Sequence, residues 1–134
     1  MLTAENIKTI ALGLGADQCG IANAERFDDA PNGFHRRDIY SRCKSIVVFI
    51  KQMPPEVINA ENPVVYTHTA NLLYDALDKI GLNLCFALEK QGIHAVPVPT
   101  DVPYLHWEPK KMHGMGILSM RHGEPAVMQG ILDA

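Results

Sequence analysis

The sequence predicts an α/β fold in which one long helix crosses a small mixed sheet. Three observations carry this. Ile46-Val47-Val48-Phe49-Ile50 is an unbroken apolar run of strand length, the pattern of a central strand buried on both faces. Leu73, Leu77, Ile80, Leu84 and Leu88 form one helical stripe, with Ala76 and Ala87 beside it, and Gly92 stands where such a helix stops. The segment 93–99, Ile-His-Ala-Val-Pro-Val-Pro, then reads as a further strand. A strand, a crossing helix and a strand make parallel pairing of 45–52 with 93–98 the expected connection.

The remaining elements follow in chain order. Thr3 can cap a first helix whose Ile7, Ile10, Ala11 and Leu14 share a face, and Gly13 and Gly15 loosen its end. Residues 17–24, Asp-Gln-Cys-Gly-Ile-Ala-Asn-Ala, alternate as a short strand, with Gly20 marking a close approach of another backbone. Asp28 to Gly33 is turn chemistry throughout. Ser45 to Gln52 is the clearest strand, and Pro54-Pro55 ends it. Residues 54–64 are a connector with at most one helical turn. The long helix is expected from about Val65 to Gln91. Pro97 and Pro99 lack an N–H, which suits them to a strand's end or edge. Residues 100–118 break the pattern with two prolines, two glycines, two histidines and the single Trp. Such a stretch reads either as a functional loop or as a packed surface loop with Tyr104 and Trp107 sealing the core.

The totals narrow the function classes. A chain of 134 residues fits one domain, 1–134, and can bury a core without staples. A net charge of −3, with short basic spots at His35-Arg36-Arg37 and Lys110-Lys111, gives no footprint for nucleic acid; both spots read as solvated loop charge. No apolar run is long enough to span a bilayer, and the N-terminal stretch lacks a signal peptide's pattern, so no membrane partner and a cytoplasmic location are expected. Cys19, Cys43 and Cys85 are odd in number and far apart. They make no disulfide framework and no cysteine run for an iron–sulfur cluster, and reduced, inert thiols are expected.

The histidines do not show metal-ligand spacing. The nearest pair, His106 and His113, has six residues between its members, and zinc ligands are commonly paired more tightly; no metal site is expected. His113-Gly114-Met115-Gly116 is a short glycine-rich turn. It reads as a flexible connection or as a place where backbone N–H groups face an anion or flat cofactor. Ser119 and His122 are close in sequence, but no nucleophile elbow surrounds the serine, and no catalytic residue is assigned.

Several pieces resemble one family. Gly15-Ala16-Asp17 and Gly20-Ile21-Ala22 follow a "GAD-x-x-G-I-A" strand opening; Arg42-Cys43-Lys44-Ser45-Ile46-Val47-Val48-Phe49 follows "x-A-K-S-V-I-V-F"; residues 84–92, ending Leu-Glu-Lys-Gln-Gly, follow "L-x-x-x-L-E-x-x-G"; Pro97 and Pro99 match a "P-I-P" strand exit. Gly116-Ile117-Leu118-Ser119 with Arg121-His122 follows "G-x-L-S-x-(K/R)-H-A-A". In this order the pieces resemble the N-terminal portion of the epoxyqueuosine reductase-like iron–sulfur oxidoreductases, relatives of cobalamin-dependent reductive dehalogenases. The resemblance implies half of a nitroreductase-like, corrinoid-binding α/β domain. It also implies cobalamin and two 4Fe–4S clusters as the family's cofactors, although the cluster cysteines are absent from this sequence.

Two departures qualify what is carried over. The family's proton-donating aspartate falls near Asn71 and Leu72, which cannot deliver a proton at neutral pH. Asp75 and Asp78, one and two turns on, read as solvated helix-face charges. After His122 the family's glycine pattern gives way to Gly123-Glu124-Pro125.

The expectation is therefore a truncated, fragment-like homologue of an iron–sulfur/cobalamin oxidoreductase without autonomous redox catalysis. The alternative is a small-molecule binding module, or a non-catalytic subunit beside a cluster-bearing chain, using a pocket at 100–122. A small metal enzyme built on the histidines ranks last. Tyr104, Trp107, His113, Ser119, Arg121 and His122 are the candidate cofactor-binding residues, with Arg121 suited to a phosphate or carboxylate. A homodimer is expected to cover apolar surface, with Val127, Met128, Ile131 and Leu132 as candidate interface residues; an ordinary last helix folded on its own core is the other reading of those four.

Overall fold

The computed structural model describes residues 2–30, 32–33, 35–101, 106–110 and 113–115. Helix α1 (Ala4–Gly13) starts at Thr3. The Thr3 hydroxyl accepts from the Asn6 amide at 3.2 Å, and the Asn6 side chain accepts from the Thr3 amide at 2.9 Å. Two helix-start donors are thus satisfied reciprocally. Ala11 is fully buried, and Ile7 and Ile10 pack beside it. Leu14, expected on that face, instead caps the helix and is 36% exposed. Gly15 turns the chain at φ +115°, where a side chain would be strained.

Strand β1 (Gln18–Asn23) pairs antiparallel with β2 (Ser45–Ile50), Gln18 opposite Ile50 and Asn23 opposite Ser45. Alternation gives this two-stranded sheet two apolar faces. On one, Cys19, Val47 and Phe49 meet Ala11, Ala16, Leu84 and Leu88. On the other, Ala22, Ile46 and Val48 meet Phe27. Phe27 ends a single helical turn, Ala24–Phe27, whose start is capped by the Asn23 side chain. A second short helix, α2 (Arg36–Ile39), precedes β2.

Helix α3 (Pro63–Lys90) runs for 28 residues. It begins two residues before the expected Val65, because Asn62 caps the Val64 amide at 3.0 Å and Pro63 takes the first helical position. Ile80, Leu84 and Leu88 are its buried residues. At Gly81 a Cβ would lie 3.5 Å from the Phe49 ring and 3.9 Å from Pro97, ordinary contact distances, so sheet, helix and the 93–99 segment come together here with room for an alanine. Gly92 ends the helix at φ +79°, the left-handed stop expected there.

Three expectations are corrected. The parallel pairing of 45–52 with 93–98 is not formed: among the described residues 93–98 is extended but joins no sheet. It does run back along α3, with Ile93 and Ala95 against the core and the Thr100 amide donating to Asp78 at 2.9 Å. Residues of one parity in an extended chain point their N–H groups to one edge, and prolines at 97 and 99 delete two donors from the same edge. Next, β2 is packed on both faces, as expected, but it is not a central strand. Among the described residues it pairs along one edge only, its middle is half-buried, and Ile50 is 43% exposed. Last, the irregular 100–118 stretch contains a short antiparallel ribbon, β3 (His106–Glu108) with β4 (His113–Met115). The residues joining them include the turn at Pro109-Lys110.

Candidate functional site

The structure locates two of the six candidate site residues by their backbone. Trp107 stands opposite Gly114, and His113 stands opposite Glu108, in the β3–β4 ribbon. Positions alternate between faces along a strand, so 107 and 113 fall on opposite faces of the ribbon. Tyr104, Ser119, Arg121 and His122 lie outside the described residues, as do Val127, Met128, Ile131 and Leu132.

The best-defined polar cluster lies elsewhere. Arg36, read from sequence as a solvated loop charge, is 8% exposed. Its Nε donates to Asp28 Oδ1 at 3.1 Å, its Nη2 lies 3.1 Å from the same oxygen, and its Nη1 donates to the Cys43 carbonyl at 2.5 Å. A guanidinium can be buried only with such partners. His35 joins from one residue away. Its Nδ1 accepts from the Arg37 amide at 3.1 Å, so the neutral ring carries its proton on Nε2, which lies 3.3 Å from Asp28 Oδ1. Asp28 therefore gathers His35 and Arg36, and Arg36 in turn holds the chain just before β2. The cluster ties the 24–44 connection over the second face of the sheet, which is a structural task. The sequence signal for it was an acidic pair, Asp28-Asp29, across a Pro-Asn-Gly turn from a basic run.

Two other carboxylates also tie segments together. Asp17 Oδ2 accepts from the Gln52 amide at 2.6 Å, and the Asp17 amide donates to the Ile50 carbonyl at 2.8 Å. Lys51 Nζ donates to the Gly15 carbonyl at 2.8 Å. The Gly15-Ala16-Asp17 corner thereby clamps the exit of β2. Asp78, read as a solvated charge, is half-buried and holds the Thr100 amide, so it anchors the start of the 100–122 stretch to α3. Asp75 is exposed, as expected.

The cysteines do not suit an iron–sulfur cluster. Cys19 is on β1, Cys43 precedes β2 and Cys85 is on α3. Among the described residues no three His, Cys, Asp or Glu side chains gather as a metal site. Burial pushes the Cys19 thiol up, and a smaller attraction from Lys8 opposes it. Burial also pushes Cys85 up, with Glu89 adding to the rise. Both shifts favour the thiol over the thiolate that binds iron. Alkylation of the native protein at neutral pH should therefore modify Cys43 first. Cys19 and Cys85 should follow only on unfolding or above their ordinary value of 9.0; mass spectrometry showing early Cys19 labelling would contradict this.

Among the described residues no helix is long and apolar enough to cross a membrane. No family model matches this chain, no curated protein matches it, and no solved structure matches it.

Proposed function

We propose that this chain is an N-terminal-half homologue of the epoxyqueuosine reductase-like oxidoreductases. In this reading it is a cytoplasmic scaffold that supplies one side of a corrinoid-type pocket at 100–122 and does not catalyse redox chemistry alone. The observation that supports the reading best is where its motif residues fall. Gly15-Ala16-Asp17 is the corner that clamps β2, through Lys51 to the Gly15 carbonyl and Asp17 to Gln52. Gly20-Ile21-Ala22 lies within β1 and Ser45 to Phe49 within β2, paired in register. Gly92 is the left-handed stop of α3. These pieces of the resemblance are thus joints of one helix–strand–strand–helix unit, while Pro97 and Pro99 lie in the extended segment after it and Gly116 to His122 lie outside the described residues.

The cysteine placement bears on the second half of the proposal. The family's clusters need thiolate ligands gathered at one place, and this chain's thiols are separated, with two of them held protonated by burial. Cluster-borne electrons would come from polypeptide other than these residues. Asn71 and Leu72 stand on exposed helix surface where the family's proton donor would align, so no proton delivery is assigned to them.

Hydroxocobalamin is the direct probe. Titration should shift its visible absorbance and raise the protein's melting temperature by several degrees at saturating ligand, since a ligand that binds only the folded state stabilises it by mass action. An unchanged spectrum together with an unchanged melting curve would end the corrinoid reading.

A further inference from the structure

We propose that the solvent side of α3 is a self-recognition seam, through which two copies of this chain pair as an antiparallel two-stranded coiled coil. The stripe of α3 that carries its buried residues is Ile80, Leu84 and Leu88, continued by the half-buried Leu73 and Leu77. The opposite side carries a second apolar set: Val65 is 41% exposed, Leu72 54%, Leu82 46% and Phe86 58%. These are not scattered. Val65, Leu72, Lys79 and Phe86 recur every seventh residue, and His68, Asp75, Leu82 and Glu89 recur every seventh residue three places on. That is the alternating three-and-four spacing by which one helix meets another along a seam. All eight residues are exposed.

The charges on the seam select both the partner and its direction. In an antiparallel pair the two heptad rows face each other. With the two-fold axis at the level of Leu77, Leu72 meets the partner's Leu82, and Leu82 meets the partner's Leu72. Asp75 meets the partner's Lys79, and Lys79 meets the partner's Asp75. Phe86 meets the partner's His68, and Val65 meets the partner's Glu89 at the outer rim. The apolar pairs flank a central square of two opposite-charge pairs. In a parallel pair each row would face itself, setting Asp75 against Asp75 and Lys79 against Lys79, which is repulsive. Asp75 and Lys79 are also uncommitted within the protomer: neither makes an ion pair with any described residue. Their four-residue spacing would allow an intrahelical pair, and the structure does not form one. The surface is thus complementary to itself under one geometry and repels itself under the other. A second copy is the occupant that this pattern fits.

Sedimentation equilibrium of the whole chain across the micromolar range tests this. Wild type should show the mass of two chains at the upper end. Asp75→Lys sets four lysines together at the centre of the seam and should weaken association at least about tenfold, the effect of losing two opposed charge pairs and gaining repulsion. The double variant Asp75→Lys/Lys79→Asp restores opposite charges at both crossings and should restore the dimer. These positions are on exposed helix surface, and circular dichroism checks that each variant keeps its helix. A wild-type mass of one chain overturns the proposal, whether residues 116–134 or nothing covers the seam. A dimer unmoved by Asp75→Lys also overturns it, because the copies would then meet through another face. None of these outcomes depends on cobalamin.

Discussion

Phe27→Ala should cost about 3–4 kcal/mol, the most of any single side-chain truncation among the described residues. Phe27 is 1% exposed and is the one large side chain among the described residues that is fully buried. It covers Ala22, Ile46 and Val48 on the face of the sheet away from the helices. The other face is covered twice, by α1 and α3, so loss of one leucine there leaves neighbours to close in. On the Phe27 face, among the described residues, one ring is the cover. Removing it loses the transfer energy of the ring and leaves a cavity whose walls are backbone-bound strand residues that cannot collapse into it. Phe27→Leu should recover most of the loss, because volume and apolarity are largely kept. Ile58→Ala, at a residue 73% exposed, should stay within about 0.5 kcal/mol of wild type. Denaturant melts of the three variants check the order. A Phe27→Ala cost near that of Ile58→Ala would mean that this face of the sheet has other cover.

Phe27 shows where the sequence was legible and where it was not. Helix α3 was readable because five apolar residues repeat along one stripe, three of them buried, and a glycine ends it, and that signal lies within one element. β1 and β2 were readable for the same reason. What failed was pairing. The segment 93–98 has strand composition, yet Pro97 and Pro99 remove donors from one edge. Composition records hydrophobicity, whereas pairing depends on donors that neighbours must meet. Phe27 went unread and Arg36 was misread as a solvated charge, because each stands in a turn-rich stretch with no periodicity around it. Their burial comes from the connection folding back over the sheet, a long-range event. Asp78 was misread for a related reason: its partner, the Thr100 amide, is 22 residues away. For the candidate site, the legible part is the unit that carries the motif pieces. Of the six nominated residues, only Trp107 and His113 have a described backbone position, on a ribbon that loop-like composition concealed.

The Asp28–Arg36 contact supports the second large prediction. Asp28→Ala should destabilise the protein by about 2–3 kcal/mol, and Arg36→Met by only about 1 kcal/mol. The asymmetry follows from burial. The Arg36 side chain is 8% exposed and that of Asp28 is 47% exposed. Removing the carboxylate leaves a buried guanidinium with the Cys43 carbonyl as its remaining described partner, and an under-compensated buried charge is costly. The half-exposure of Asp28 lets water reach the vacated side, which keeps the cost below that of breaking a fully buried pair. Removing the guanidinium instead leaves a carboxylate that water and His35 can satisfy, while methionine fills much of the space that the arginine stem occupied. If this account holds, the double variant Asp28→Ala/Arg36→Met should be more stable than Asp28→Ala alone, because the stranded charge is gone. A double variant whose cost equals the sum of the single costs would show that the two side chains act independently. The 24–44 connection would then be held over the sheet by Phe27 without their help.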